Sequence, residues 1–321
     1  MNIAALGTGK IIPEAIAAMQ ASKKFNVVTI WARPHSRDKA QALAEKFHVE
    51  KISTDLDEVL NDRAIDFVYV GLVNSVHYEY AKRALDAGKN VILEKPFTVT
   101  SEEAQNLIDL ATAKKLYLFE AVTNLHMPNF YALRDAVKKI GEIKIIQANY
   151  SQYSSRYDAY KEKKVAPAFD PKTYGGALRD LNVYNINLVA ALFGMPKKIN
   201  YTANIGFNGV DTSGVAVLEY DGFVVNCICA KDSASPCYFV VQGDKGFVRV
   251  DGGSNELNSV EVAIRGEEVQ KINLNNFEHR MVHEFIEFGE IFEAGDYEKV
   301  VAGLKTSLLV TKIIEQLSGK G

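Results

Sequence analysis

The sequence predicts an α/β protein: a doubly wound parallel sheet first, then a second α/β domain with a large, mostly antiparallel open sheet. Three observations carry this. Strand and helix signals alternate regularly through residues 1–120, and a Gly-x-Gly turn follows the first strand within ten residues of the start. After residue 120 the rhythm changes to runs of strands joined by hairpin signals. A chain of 321 residues suggests two domains, expected at 1–121 and 122–321, with the C-terminal helices able to pack back on the first.

Each element has its own signal. "NIAAL" (2–6) reads as a strand, and Pro13 suits the first turn of the helix behind the glycines. "NVVTIW" (26–31) is a second strand, followed by an amphipathic helix from Arg37 to Phe47. "ISTDLDEVL" holds a short strand and a helical turn, and "DFVYVGL" (66–72) reads as a buried strand. A helix from Val76 to Ala87 ends at Gly88, and "NVILE" (90–94) follows as a strand. Ser101–Lys114 opens with an S-x-x-E-like capping signal, and "LYLFE" (116–120) closes the alternation. Beyond it come a helix at 127–139, a strand at 143–153, a long helix at 175–194, strands between 197 and 273 with Asp221-Gly222 as a hairpin turn, and helices near 277–293 and 297–318.

Bulk properties exclude several classes. The chain is 47% hydrophobic and 24% charged, with a net charge of −3 that gives no electrostatic reason to expect nucleic acid or an anionic membrane as partner. No apolar run is long enough to span a bilayer. Cys227, Cys229 and Cys237 suggest neither a disulfide framework nor a zinc site, so a reducing cytoplasm is expected. His279 and His283 lie four apart on a late helix; without further ligands they read as ordinary helix residues, and no metal is expected.

The glycine loop carries the first chemical signal. "ALGTGKII" sets Gly7 and Gly9 between a strand and a helix, where a tight turn lets the backbone approach a pyrophosphate at the helix N-terminus. Gly7, Gly9, Lys10 and Ile11 are the expected cofactor contacts here. The third fingerprint position is usually small but is Ile12, so the motif is incomplete. After the second strand stand Arg33 and Arg37, with no acid before Asp38. Guanidinium groups there suit a 2′-phosphate, which favours NADP, with NAD possible.

The stretches "ALGTGKI", "IDFVYVGLVNSVHYEYAKRALDAGKNVILEKPFTVT", "LFEAVTNLHMP" and "GGALRDLNVYNINLV" together resemble the Gfo/Idh/MocA family of nicotinamide-dependent oxidoreductases. The resemblance implies an N-terminal Rossmann domain, a C-terminal open sheet that mediates dimers in many members, and substrate in the cleft between domains. Two departures stand out. Val73-Asn74 replaces the usual Pro-Asn, and Tyr184 stands four residues after Asp180 where inositol-type enzymes place a histidine. The tyrosine resembles the dihydrodiol dehydrogenase and glucose–fructose branch, in which lysine and tyrosine form the catalytic pair, and it counts against inositol as substrate.

On this reading Lys95, Tyr184 and Asp180 are the catalytic candidates. Hydride transfer to a carbonyl needs a proton donor for the developing alkoxide, and an ammonium beside a tyrosine favours its phenolate. Asp180, Tyr184 and Asn187 form one polar stripe at i, i+4, i+7. Periodicity alone turns that stripe to solvent, whereas the resemblance turns it to the nicotinamide, with Asp180 holding substrate hydroxyls or orienting the pair. Leu72, Asn74 and His77 are expected along the cofactor, and Glu94 at its ribose or bracing the lysine. Glu120 fits a pocket or a domain-boundary salt bridge, and His126 the cleft. Tyr153, Tyr157 and Tyr160 suit either a substrate wall or a dimer interface. The expectation is an NAD(P)-dependent dehydrogenase acting on a sugar-like, polyol or small carbonyl substrate, homodimeric through its C-terminal sheet. A regulator that binds NADP without turnover is the alternative.

Overall fold

Strands β1 (Asn2–Leu6), β2 (Asn26–Trp31), β3 (Lys51–Ser53), β4 (Phe67–Val70), β5 (Asn90–Glu94) and β6 (Leu118–Ala121) form a parallel sheet in the order β3-β2-β1-β4-β5-β6. The computed structural model describes residues 1–319. Strand order reverses between β1 and β4, the switch point where open sheets of this kind bind ligands beyond their carboxyl ends. The inner strands are apolar because helices cover both faces: all of Phe67–Val70 and Val91–Leu93 is buried.

The intervening helices are α1 (Ile11–Ser22), α2 (Arg37–Phe47), α3 (Leu56–Asn61), α4 (His77–Asp86) and α5 (Ser101–Lys114). Two boundaries differ from the sequence reading. The α5 cap is Thr100, whose hydroxyl accepts from Glu103 N while the Glu103 carboxylate accepts from Thr100 N, so the capping box is T-x-x-E, one residue earlier than expected. A tight 3-10 turn at Asn74–Val76 precedes α4, which starts at His77.

The chain divides into two compact units, Met1–Val122 with Met281–Leu308, and Thr123–Arg280 with the residues from Leu309 on. In the second unit α6 (Pro128–Val137) and α7 (Tyr157–Lys161) precede α8 (Val183–Phe193). Its sheet is built from β7 (Ile143–Ser151), β8 (Lys198–Ile205), β9 (Asp211–Tyr220), β10 (Phe223–Ala230), β11 (Tyr238–Gly243), β12 (Gly246–Asp251), β13 (Val260–Ile264) and β14 (Gln270–Ile272). The order is β14-β13-β12-β11-β7-β10-β9-β8, antiparallel except where β7 runs parallel to β10. Alternation with period two separates a buried face (Val225, Cys227, Val241, Val248, Val250) from an open one. On the open face Val224, Ile145, Gln242 and Phe247 stand side by side in register, and Val224, Ile145 and Phe247 are exposed. The chain closes with α9 (Val282–Ala294) and α10 (Tyr297–Leu317). Within the first unit, α9 is seated by aromatic packing, Phe288 stacking on Phe119 of β6 at 4.5 Å.

The stretch read as one helix over 175–194 is two pieces. Residues Leu178–Asn182 form a π-helical turn, and regular α-helix begins only at Val183. Two of the three stripe residues do not face solvent, as periodicity had suggested: every α8 residue from Val183 to Ala190 is buried, Tyr184 and Asn187 included, while Asp180 on the preceding turn is partly exposed. A helix apolar nearly all round is an interior helix, and its polar residues are interior groups.

Candidate active site

In the first unit the loops after β1, β4 and β5 are tied together. Gly7 has φ +122°, a value for L-residues reached only with strain, and a side chain there would strike the Gly71 carbonyl oxygen at 2.8 Å. The backbone of the β1 turn therefore touches the end of β4. Ile12, the departure from the fingerprint, is accommodated from the other side: a Cβ on Gly71 would lie 2.6 Å from Ile12 Cδ1. The close helix–strand approach that a small third residue normally permits is supplied here by Gly71.

Space above Gly9 is open, with no atom within 4 Å of where a Cβ would stand. The N-terminus of α1 follows directly, with Lys10 as its N-cap and Ile11 as its first residue. Beside it a groove of about 340 Å³ is lined by Thr8, Gly9, Lys10, Pro13, Lys39, Ala42, Leu43 and Lys46. Arg33 and Arg37 are exposed just past β2. An open glycine cradle at a helix N-terminus, flanked by cations, fits a dinucleotide pyrophosphate and a further phosphate.

Lys95 sits at the exit of β5, partly exposed, on a turn held from two sides. The buried His77 ring lies between two carbonyls, Nδ1 at 3.0 Å from Pro96 O and Nε2 at 3.1 Å from Leu72 O. Burial pushes the His77 pKa below the ordinary imidazole value, against the raising effect of those carbonyls. On the other side Glu120, buried at the end of β6, accepts a 3.0 Å hydrogen bond from Phe97 N. Glu94, also buried, accepts from the Tyr69 hydroxyl. These side chains thus do particular work within the unit. His77 joins the β4 and β5 loops, and Glu120 braces the turn that carries Lys95. Asn74 lies in the 3-10 turn before α4, and Leu72 reaches the glycine loop, its Cδ2 3.2 Å from the position of a Gly7 Cβ.

In the second unit the double glycine before α8 is required by packing. A Cβ on Gly175 would meet Pro167 O at 2.5 Å, and Gly176, at φ +119°, would drive one into the Asp211 carboxylate. Asp211 Oδ2 accepts from Leu178 N (2.7 Å) and from the Tyr201 hydroxyl (2.8 Å), so it caps the π turn. Burial raises the Tyr201 pKa strongly. Asp180 lies on that turn, and its carboxylate is bound at 2.7 Å by Lys231, a residue the sequence reading passed over. Tyr184 follows four residues later; its carbonyl accepts from Asn124 Nδ2, and its ring lies 6.0 Å from that of Tyr150. Asn187 donates to Val183 O, while its own Oδ1, fully buried, has no hydrogen-bond partner among the described residues. His126 ends a 3-10 turn, Thr123–His126, and is half-buried.

The tyrosine-rich stretch is largely packing. Tyr160 is buried, stacks on Phe169 at 4.9 Å and donates to Asn208 Oδ1. With Val210 these residues make a small satellite core, and Tyr153 alone of the three tyrosines is well exposed. Among the described residues no cluster of three or more His, Cys, Asp or Glu side chains could hold a metal ion, and no helix is long and apolar enough to cross a membrane.

A parallel sheet in this order with a glycine cradle at its switch point, in a chain whose second unit holds a large mixed sheet, defines a nicotinamide-dinucleotide-dependent oxidoreductase. Comparison with known proteins gives the family. Residues 1–122 match the oxidoreductase family with an NAD-binding Rossmann fold, and residues 130–249 match the GFO/IDH/MocA C-terminal domain. A scyllo-inositol 2-dehydrogenase (NADP+) of Bacillus subtilis is 30% identical over 98% of this chain and 95% of its own length. The trans-1,2-dihydrobenzene-1,2-diol dehydrogenase of Xenopus tropicalis is 28% identical over 81% of this chain and 77% of its own. The chain belongs to the Gfo/Idh/MocA family. Its fold matches that of a 3-ketoreductase from Actinomadura kijaniata, solved with NADP and TDP-benzene, at a TM-score of 0.87 over 100% of this chain and 97% of that one, with 21% identity.

Proposed function

We propose that the protein interconverts an alcohol and a carbonyl on a sugar-like or polyol substrate, with NADP preferred over NAD and with Lys95 and Tyr184 as its acid–base pair. The observation that carries this is the Lys95 turn. It leaves β5, buried from Val91 to Glu94, at the carboxyl edge of the sheet, and buried side chains on α4 and β6 hold the backbone at Pro96 and Phe97. A lysine held in this way is presented for contact rather than left as a solvated strand exit. The relatives support the substrate class: one is named for scyllo-inositol and another for a dihydrodiol. Inositol therefore returns to the screen, although Tyr184 had counted against it. The Actinomadura kijaniata ketoreductase has itself been solved as variants at a lysine and at a tyrosine.

In this reading a nicotinamide cofactor held along the glycine cradle would supply the hydride for the carbonyl carbon. The carbonyl π pair moves to oxygen, Tyr184 gives that oxygen its hydroxyl proton, and the Lys95 ammonium donates a hydrogen bond to it. Oxidation runs the same residues backwards, with the tyrosinate as base. Arg33 and Arg37 hold the 2′-phosphate, and Gly7, Gly9, Lys10 and Ile11 the pyrophosphate. Leu72, Asn74 and Glu94 border the ribose and nicotinamide, while Asn187 and His126 border the substrate. The open face of the second sheet, where a shallow cavity of about 720 Å³ runs over Tyr238, Val240, Phe247 and Ile264, is the dimer interface. Three free thiols, two of them buried two residues apart on β10, suit the reducing cytoplasm.

The test is Tyr184→Phe, assayed with NADPH against a panel of hydroxy-aldehydes and inososes. Turnover is expected to fall by about 10²–10⁴ with the cofactor Kd unchanged. Wild-type turnover in that variant would remove the tyrosine from the mechanism.

A further inference from the structure

We propose that Lys231 is a positioning residue: buried at the end of β10, it fixes the Asp180 carboxylate as the acceptor for a substrate hydroxyl next to the reacting carbon. This inference deepens the proposed function and rests on it.

Lys231 is 2% exposed. Its backbone is pinned on both sides, its N–H donating to Thr212 O at 2.8 Å and its carbonyl accepting from Ser154 N at 2.9 Å. The sheet therefore sets where the ammonium goes. That ammonium donates to Asp180 Oδ2 at 2.7 Å and to Ala168 O at 2.6 Å, and it lies 4.4 Å from the centre of the Phe169 ring. An ammonium has three N–H donors, and two carbonyl-type oxygens and one aromatic face take up all three. It has no donor left for a phosphate and no lone pair with which to act as a nucleophile. The adjacent acid, Asp232, is occupied elsewhere, accepting from the Thr212 and Ser213 hydroxyls. Lys231 thus has one carboxylate partner to act through, Asp180.

Asp180 is the outward member of the pair, its side chain 37% exposed against 3% for that of Lys231. It stands on the π turn four residues before Tyr184, and such turns interrupt helices mostly at functional sites. One oxygen is held from below by the ammonium while the side chain still reaches accessible space. An ionised carboxylate only accepts hydrogen bonds, so the group it recognises is a donor, and on a carbonyl or alcohol substrate that donor is a hydroxyl. The Ala168 contact and the Phe169 ring add a second function. They attach the 167–169 turn, part of the satellite core around Tyr160, to the same ammonium. Lys231 so fixes both the carboxylate and the turn beside it.

The experiment compares the wild type with Lys231→Met, and with Lys231→Met combined with Asp180→Asn, which removes both charges and guards against a folding defect. Reduction of glyceraldehyde and of propanal by NADPH is measured; the two differ by the hydroxyls the carboxylate would read. In Lys231→Met, kcat/KM for glyceraldehyde is expected to fall about tenfold, mainly through KM, while that for propanal changes by less than about threefold. In the double variant the melting temperature is expected to recover without the preference for glyceraldehyde. Equal losses on both aldehydes, or recovery of the preference along with the melting temperature, would overturn the proposal and make Lys231 a structural residue. A binding readout independent of turnover is the thermal shift that scyllo-inositol gives the NADP+ complex. Loss of that shift in Lys231→Met supports the inference even where neither aldehyde is reduced, an outcome that would instead sink the proposed reaction. A shift that survives in the variant overturns the inference.

Discussion

Two lysines follow strand ends in this chain, Lys95 after β5 and Lys231 after β10, and their surroundings are opposites. Lys95 follows Val91-Ile92-Leu93-Glu94; the backbone of the next two residues is held by His77 (at Pro96 O) and Glu120 (at Phe97 N), while Lys95 stays partly exposed. Lys231 follows Cys227-Ile228-Cys229-Ala230; its side chain is buried and its ammonium is bound by a carboxylate, a carbonyl and a ring. The first lysine is partly exposed beside a braced turn, and the second is buried among its partners. A strand-exit lysine is therefore not one kind of signal. What separates the two is burial, and with it whether solvent can reach the side chain.

That contrast can be broken by stability before activity is measured. Lys231→Met leaves Asp180 and the Ala168 carbonyl without their donor, and is expected to cost about 2 kcal/mol. Lys95→Met, at a partly exposed position, is expected to cost less than Lys231→Met. Urea unfolding of both variants checks this, and equal midpoints would erase the distinction.

A smaller effect sharpens the cofactor side. Arg33→Ala is expected to weaken NADPH about tenfold and NADH hardly at all, since only the former carries the 2′-phosphate. Equal losses in fluorescence titrations with the two nucleotides would mean that Arg33 does not read that phosphate.

The smallest effect concerns the clamp. His77 and His283 both have pKa values pushed down, mainly by burial. The unfolded chain therefore takes up protons on these groups before the folded one does. Their contribution to stability is complete above about pH 6.5 and is lost as pH falls through the depressed folded values. Melting temperature should drop from pH 7 to pH 5, and the drop should be shallower in His77→Gln. An identical slope in the variant would place the titration elsewhere.

Much of the first unit was legible in the sequence because parallel strands buried on both faces read as unbroken apolar runs, and β2 and β5 fell on the expected residues. The glycine loop was legible because backbone approach leaves no substitute for Gly7. The compensation of Ile12 by Gly71 was not, since it joins residues 59 apart in the chain whose fit depends on tertiary packing. The Tyr184 and Asn187 part of the polar stripe was misread by periodicity, because burial of α8 is set by the sheet packed on it: neighbouring Asn182 and Asn185 donate to Cys227 O and Ile228 O of β10. Lys231 was missed for a related reason. "CICAKD" carries the same pattern as "VILEKP", an apolar run ending in lysine, but no glycine loop or proline stood beside it to draw attention.

Stopped-flow NADPH oxidation under single-turnover conditions in Lys95→Met, with the NADPH Kd determined on the same sample, decides whether Lys95 takes part in the reaction. An unchanged Kd and a hydride-transfer rate lowered by about 10²–10⁴ are expected. A wild-type rate would return Lys95 to the status of a solvated strand exit, and the acid–base pair would have to be sought elsewhere.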